Sequence, residues 1–167
     1  MHGFLRPVMV SWHHCENVLL EGVTFQNSPC WNIHPAMCTN LTVYGITVRC
    51  PDYAQNSDGI DIESCRNVSV TNSRFDVGDD GICIKSGKDQ AGRDRGIPCE
   101  NILVDNCIVF HGHGGFVVGS AMSGGGRNGQ GPNRGFPWPL FPSSAAAPGL
   151  VLGPGRHRRR RSQHPHR

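Results

Sequence analysis

A short mark, Cys, any residue, Asn and then an apolar residue, recurs four times in the first 126 residues: Cys15-Glu-Asn-Val, Cys38-Thr-Asn-Leu, Cys65-Arg-Asn-Val and Cys99-Glu-Asn-Ile. The Asn residues, at 17, 40, 67 and 101, stand 23, 27 and 34 positions apart. Each mark leads into an alternating stretch with a small or polar residue at a bend: V-L-L-E-G-V-T-F, L-T-V-Y-G-I-T-V, V-S-V-T-N-S-R-F and I-L-V-D-N-C-I-V. Alternation of β-branched residues with Gly or Asn at the bends describes short strands. A repeat of twenty-odd residues built only of short strands cannot bury its apolar face alone and must stack on copies of itself. The expected fold is therefore all-β, a right-handed parallel β-helix of about four coils.

A second strand lies between consecutive marks. In one register, W-N-I-H-P from Trp31, D-G-I-D-I from Asp58, D-G-I-C-I from Asp80 and G-G-F-V-V from Gly114 share a face. The longest interval holds an insertion, Gly87 to Pro98, carrying Lys88, Arg93 and Arg95, and insertions in solenoids become loops, often on the binding face. Stacking sets Cys15, Cys38, Cys65 and Cys99 about 4.8 Å apart and pointing the same way. A disulfide needs facing Cβ atoms about 3.8 Å apart, so these thiols are expected to be small buried hydrophobes. The Asn residues suit a ladder of side-chain amides at a turn. Two of them, Asn40 and Asn67, also head formal glycosylation sequons, short patterns that arise easily by chance.

The charge distribution divides the chain. Residues 1–126 hold eight Lys or Arg against thirteen Asp or Glu, whereas 127–167 hold eight Arg and no acid. This second part is rich in Gly, Pro and Arg without apolar periodicity, so burial there would not offset chain entropy. The division expected is a catalytic β-helix over 1–126 and a disordered tail over 127–167. A run such as Arg158 to Arg161 can bind nucleic acid or an acidic polymer, but a solvated tail is the reading preferred, with neither nucleic acid nor membrane as partner. No stretch approaches the ~20 apolar residues of a membrane span, and the opening M-H-G-F-L-R-P has too short an apolar run for a secretory signal. Localisation is left open.

In the register above, Asp58 and Asp80 occupy one place on successive coils, Asp79 precedes Asp80, and His113 takes the place of Asp79 one coil on. Carboxylates ~5 Å apart raise one another's proton affinity, and a site holding one proton among three acids supplies both a general acid and a general base. Glycoside hydrolysis uses such a pair, held ~6.5 to 9.5 Å apart for inversion and ~5 to 5.5 Å for retention. Two other readings stand beside it. Asp before Gly is a common turn residue, and Asp-rich rungs can bind calcium through six to eight oxygens. Convergence of four side chains lifts catalysis above both. One difficulty is that Asp58 shares parity with Ile60 and Ile62, which should point inward, so Gly59 is expected to reset the alternation.

At these residues the chain resembles glycoside hydrolase family 28, the polygalacturonases. The matching stretches are Asn56-Ser57-Asp58-Gly59-Ile60-Asp61, Gly78-Asp79-Asp80, and Gly112-His113-Gly114 running on to Val118-Gly119-Ser120; S-P-C-W-N-I-H-P from Ser28 is similar to the strand before the site. The resemblance covers roughly Arg6 to Asn128. It implies hydrolysis of α-1,4-linked galacturonate with inversion and without metal or other cofactor, by a monomer whose partner is pectic polysaccharide or oligogalacturonide. By position Asp79 would be the general acid, Asp58 and Asp80 would activate water, and His113 would tune the acid or hold substrate. Asn56 and His34 would contact substrate. The wording of 84–98 is most similar to bacterial members, some of them exo-acting, and would direct Lys85 and Lys88 to substrate carboxylates, a solvated cationic loop being the other reading. The family is usually secreted or periplasmic. Its basic R-I-K motif, one coil beyond His113, has no counterpart here, and the chain is read as cut short at both ends. The competing functional readings are a β-helix remnant that at most binds acidic polysaccharide, and a calcium-dependent pectate lyase on a similar solenoid.

Overall fold

A computed structural model describes residues 5–130 and 150–152. Its strands form three sheets, parallel throughout residues 10–130. The first is β1 (Val10–His13), β4 (Ile33–Ala36), β7 (Ile60–Glu63), β10 (Ile82–Lys85) and β13 (Phe116–Val118). The second is β2 (Glu16–Glu21), β5 (Thr39–Tyr44), β8 (Arg66–Thr71), β11 (Cys99–Asp105) and β14 (Gly126–Gln130). The third is β3 (Thr24–Gln26), β6 (Thr47–Arg49), β9 (Arg74–Asp76) and β12 (Ile108–Val109). Each coil visits the three sheets in turn, and the fold is a right-handed parallel β-helix, the hand that parallel crossovers take.

The register follows the marks. Val18, Leu41, Val68 and Ile102 align across the second sheet, and Ile33, Ile60, Ile82 and Phe116 across the first. These residues point inward and, from the second coil on, are almost fully buried. At the turn before the second sheet, Asn17, Asn40, Asn67, Asn101 and Asn128 all take positive φ, a conformation that Asn tolerates better than most residues. Each amide reaches the one below: Nδ2 donates to the preceding Oδ1 at 3.0 Å for Asn40 and Asn67, 2.9 Å for Asn101 and 3.2 Å for Asn128. Cys38, Cys65 and Cys99 are buried free thiols, and burial pushes Cys99 up to about 12.

The first sheet departs from alternation. Ile60 and Ile62 face the core, yet Asp61 and Cys83, facing the other way, are also fully buried. The segment after β13 covers them: the carbonyl of Gly119 accepts from Cys83 Sγ at 2.9 Å. The insertion forms a short helix, α1 (Asp89–Arg95), tied to β7 by Arg95 on Glu63.

The boundary expected at 126 is corrected. Strand β14 carries the solenoid to Gln130, with Gly126 and Gly129 buried opposite Cys99 and Ile102 and Arg127 paired to Glu100 at 2.8 Å. Backbone pairing and an amide rung hold it, so the lack of large apolar residues does not prevent it. Leu150–Leu152, also expected to be disordered, forms β15, antiparallel to β13. The rest of the tail, including Arg158 to Arg161, lies outside the described residues. Among the described residues no helix is long and apolar enough to cross a membrane.

Candidate active site

The acids sit where the third sheet hands over to the first. Asp58 and Asp80 immediately precede Gly59 and Gly81, from which the chain enters β7 and β10, and the Gly59 amide donates to the Asp80 carbonyl at 2.9 Å. Gly59 is required for space, since a Cβ there would lie 2.3 Å from the Gly81 carbonyl oxygen. Asp58 lies outside the strand, so the parity of Ile60 and Ile62 does not bind it. Gly112, at φ +152, lets the next coil pass close, its absent Cβ falling 2.6 Å from the Asp79 carbonyl oxygen. The amide of His113 donates to that carbonyl at 3.0 Å.

One oxygen from each of Asp58, Asp79 and Asp80 lies within 4.8 Å of the others. His113 Nδ1 is 3.2 Å from Asp79 Oδ1, its ring 75% exposed. The Asn56 amide donates to Asp79 Oδ2 at 3.1 Å. The structure thus brings together the four expected catalytic side chains, with the backbone of Asn56. They differ in environment. Asp58 is 4% exposed, and burial, then the charges of Asp79 and Asp80, push it up to about 6 against the opposing pull of Lys85. Burial and Asp79 also raise Asp80, with Lys85 and His113 opposing. Asp58 and Asp80 therefore bind a proton more readily than an ordinary carboxylate.

The remaining expected site residues are placed differently. The Asn56 side chain accepts from Arg6 Nη2 at 2.8 Å. His34 is half-buried, Nε2 2.9 Å from Glu63 Oε2 and Nδ1 3.2 Å from Ser11 Oγ. Lys88 is exposed at the start of α1. Lys85, expected to meet substrate, has its charge engaged inside the protein: it is buried, its Nζ 3.3 Å from Asp61 Oδ1 and 5.1 Å from the Trp31 ring centre. Burial alone would disfavour the ammonium, but Cys83, Asp61 and Asp58 outweigh it and hold its proton affinity above the usual Lys value. The sequence assigns no role to Asp61 or Cys83, behind the site: Ile60-Asp61-Ile62-Glu63 alternates like a strand with one face exposed, and only the apolar run Ile82-Cys83-Ile84 hints at burial on both faces.

Among the described residues, two groups have the spacing to approach a cation, Asp58 with Asp79 and Asp80, and Asp58 with Asp61 and Cys83. The second already holds the Lys85 ammonium. The first supplies three of the six to eight oxygens that calcium takes and sets His113 beside them, not a further oxygen.

Residues 3–130 match the model of glycosyl hydrolases family 28. The chain belongs to that family. It is similar to a probable polygalacturonase of Vitis vinifera, 31% identical over 73% of the chain and 25% of the relative, and to an endo-polygalacturonase of Pectobacterium carotovorum, 30% identical over 71% and 28%. Among solved structures it is similar to a hyperthermoactive exopolygalacturonase from Thermotoga maritima, with a TM-score of 0.74 and 46% identity over 77% of this chain and 29% of that one. The chain therefore spans between a quarter and a third of the length of these relatives. The family match ends at Gln130, the last residue of β14.

Proposed function

We propose that this chain is the catalytic segment of a polygalacturonase-type glycosidase that hydrolyses α-1,4-galacturonosidic bonds of pectin by general acid/base catalysis with inversion. One observation carries the reading: three carboxylates and an imidazole, drawn from three successive coils, are stacked within hydrogen-bonding or short electrostatic reach at the junction of two sheets. Asp79, next to His113 and more open than Asp58, is the acid that protonates the leaving oxygen. Asp58 and Asp80 activate the water. A base held near 6 is ionised at neutral pH and accepts a proton more readily than an ordinary carboxylate, which suits Asp58. His113 holds Asp79 in place and balances charge as its proton leaves. The substrate is polyanionic, and Lys88 together with Arg93 on α1 offers exposed cations on the insertion. Relatives named endo- and exopolygalacturonase both match, and the mode of attack is left to the products.

The test is release of reducing ends from polygalacturonate, with Asp79→Asn as control and the first-formed anomer followed by proton NMR. Hydrolysis lost in the control, with an inverted product, supports the proposal. Retained configuration overturns the mechanism, and no release above the control favours a binding remnant. Unsaturated, ultraviolet-absorbing products abolished by chelator would mark a lyase.

A further inference from the structure

Behind the catalytic face lies a second carboxyl group that the mechanism above does not use. Asp61 sits in β7, fully buried, with both oxygens lacking a hydrogen-bond donor. Asp58 Oδ1 is likewise buried and without a donor. One oxygen of each side chain lies within 4.8 Å of the other. Two ionised carboxylates cannot hydrogen-bond each other, because both only accept. Buried acceptors without donors are costly and rare. A single proton between the two groups removes the conflict, since an O–H on one donates to the other.

Resting on the hydrolase reading, we propose that Asp58 and Asp61 share one proton, carried on Asp61, which donates to the Asp58 carboxylate and fixes its orientation toward the attacking water, with Lys85 as the counter-charge of the pair. Asp61 is then a positioning residue and Asp58 the catalytic one.

The surroundings agree. The groups facing the pair are Cys83 and Lys85 from β10, Asp79 and Asp80 from the loop before it, and His113 beside those two from the following coil. Burial, followed by the charge of Asp58, raises Asp61 well above the ordinary Asp range, against the pull of Lys85. Cys83 remains a thiol because burial raises it, and it donates to Gly119 rather than to either acid. Lys85 Nζ is 3.3 Å from Asp61 Oδ1 but not aligned as a hydrogen bond, so its attraction acts on the pair as a whole. One cation against two buried carboxyls leaves one charge balanced and the other removed by the proton. A carboxylic acid kept neutral by its site, so that it can donate, is an established device for orienting an anion.

The experiment is a carbon-13 NMR titration of the Asp carboxyl carbons of the full chain between pH 3 and 9, with Asp61→Asn, Lys85→Met and Lys85→Arg. In the unmodified chain the pair is expected to release one proton below pH 8 and retain the second. Asp61→Asn, whose amide still donates, should leave the Asp58 midpoint within half a pH unit. Lys85→Met should raise that midpoint by a unit or more, and Lys85→Arg should restore it. Release of both protons by pH 7, or a fall of a unit or more at Asp58 in Asp61→Asn, overturns the proposal. The titration of the unmodified chain decides the matter even where Lys85→Met fails to fold. Turnover provides a second readout: Asp61→Ala should lower kcat about 10- to 100-fold, the range seen when an outer partner is removed, with KM little changed, while Asp61→Asn retains more of it. Equal loss in both variants speaks against the donor role. If no variant and no unmodified chain hydrolyses polygalacturonate, the hydrolase reading fails while the shared proton still stands or falls on the titration.

Discussion

Asp58 holds a proton more tightly in the folded chain than an unfolded Asp would, because burial and Asp79 push it from the ordinary 3.8 to about 6. A raised carboxyl contributes stability that is fully present below its unfolded value and is lost as pH rises through its folded one. The window is therefore pH 4 to 6, and above it the native state carries the cost of a buried, ionised acid. Asp58→Asn removes that cost. Thermal melts should show the variant more stable than the unmodified chain at pH 7, by about 2–3 kcal/mol at one unit per 1.36 kcal/mol, and nearly equal at pH 4. An equal difference at both pH values would show that burial of the charge is not the cause. The same substitution should abolish hydrolysis, and in the unmodified chain kcat should fall as pH drops below about 6 and Asp58 protonates, which a pH–rate profile on polygalacturonate checks. The stacking of Asp58 on Asp80, and of Asp79 beside His113, was legible from register alone: a seven-residue offset to the next Cys sets Trp31 and Asp58 level, and the shared wording of D-G-I-D-I, D-G-I-C-I and G-G-F-V-V carries the register on to Asp80 and Gly114. The burial of Lys85 was not. Alternation tells which way a residue faces, and facing away from the core means exposed only where nothing lies on top. Here the cover is the segment at Gly119, far along the chain, and no local pattern near Lys85 announces it.

Among the elements, the amide ladder and the insertion helix make separable contributions. Asn67 both accepts from Asn101 and donates to Asn40, at φ +56. Asn67→Ala loses two hydrogen bonds, about 1 kcal/mol each, and puts at φ +56 a residue that tolerates the left-handed region less well than Asn, at a further cost of about 1 kcal/mol. Asn67→Gly loses the hydrogen bonds but not the conformational ease. Denaturant melts should therefore rank Ala below Gly, with Ala costing about 3 kcal/mol; equal costs would assign everything to the amides. The ladder was legible because Asn recurs at the same point of every mark. Its fifth member, Asn128, was not, as no Cys two residues before it repeats the mark and the strand around it is Gly-rich. Helix α1 depends on Glu63, which is held at about 2 by its hydrogen bond to His34 and by Arg95. Because that value is depressed, its contribution is present above about 4.5 and is lost only as pH falls toward 2. Glu63→Gln at pH 7 should raise amide exchange across Asp89–Arg95 at least tenfold while leaving β8 protected, as measured by mass spectrometry. Unchanged exchange there would show that α1 is held by other contacts.

Across the whole molecule, stability is expected to vary along the solenoid axis. Each coil is buried only by the coils above and below it, so cohesion is close to a sum of nearest-neighbour terms and an end coil has one such term where an inner coil has two. The burial follows this. Val43 and Val48 in the second coil and Val70 and Phe75 in the third are fully buried, whereas their counterparts in the first, Leu20 and Phe25, are only partly covered. Burial of apolar surface contributes about 25 cal/mol per Å², so the first coil is held more weakly than the third by the area left open. Asp58, Asp79 and Asp80 lie at the junctions entering β7 and β10, in the third and fourth coils, where α1 reaches Glu63 and the Gly119 segment covers Cys83. Local opening should therefore proceed from the first coil inward. Native-state hydrogen exchange should find β1, β2 and β3 opening with the lowest free energy and β7, β8 and β10 with the highest, separated by more than about 1.4 kcal/mol, a factor of ten. Uniform protection across the coils would mean that the chain unfolds as one cooperative unit, and that the site is no better supported than the rim.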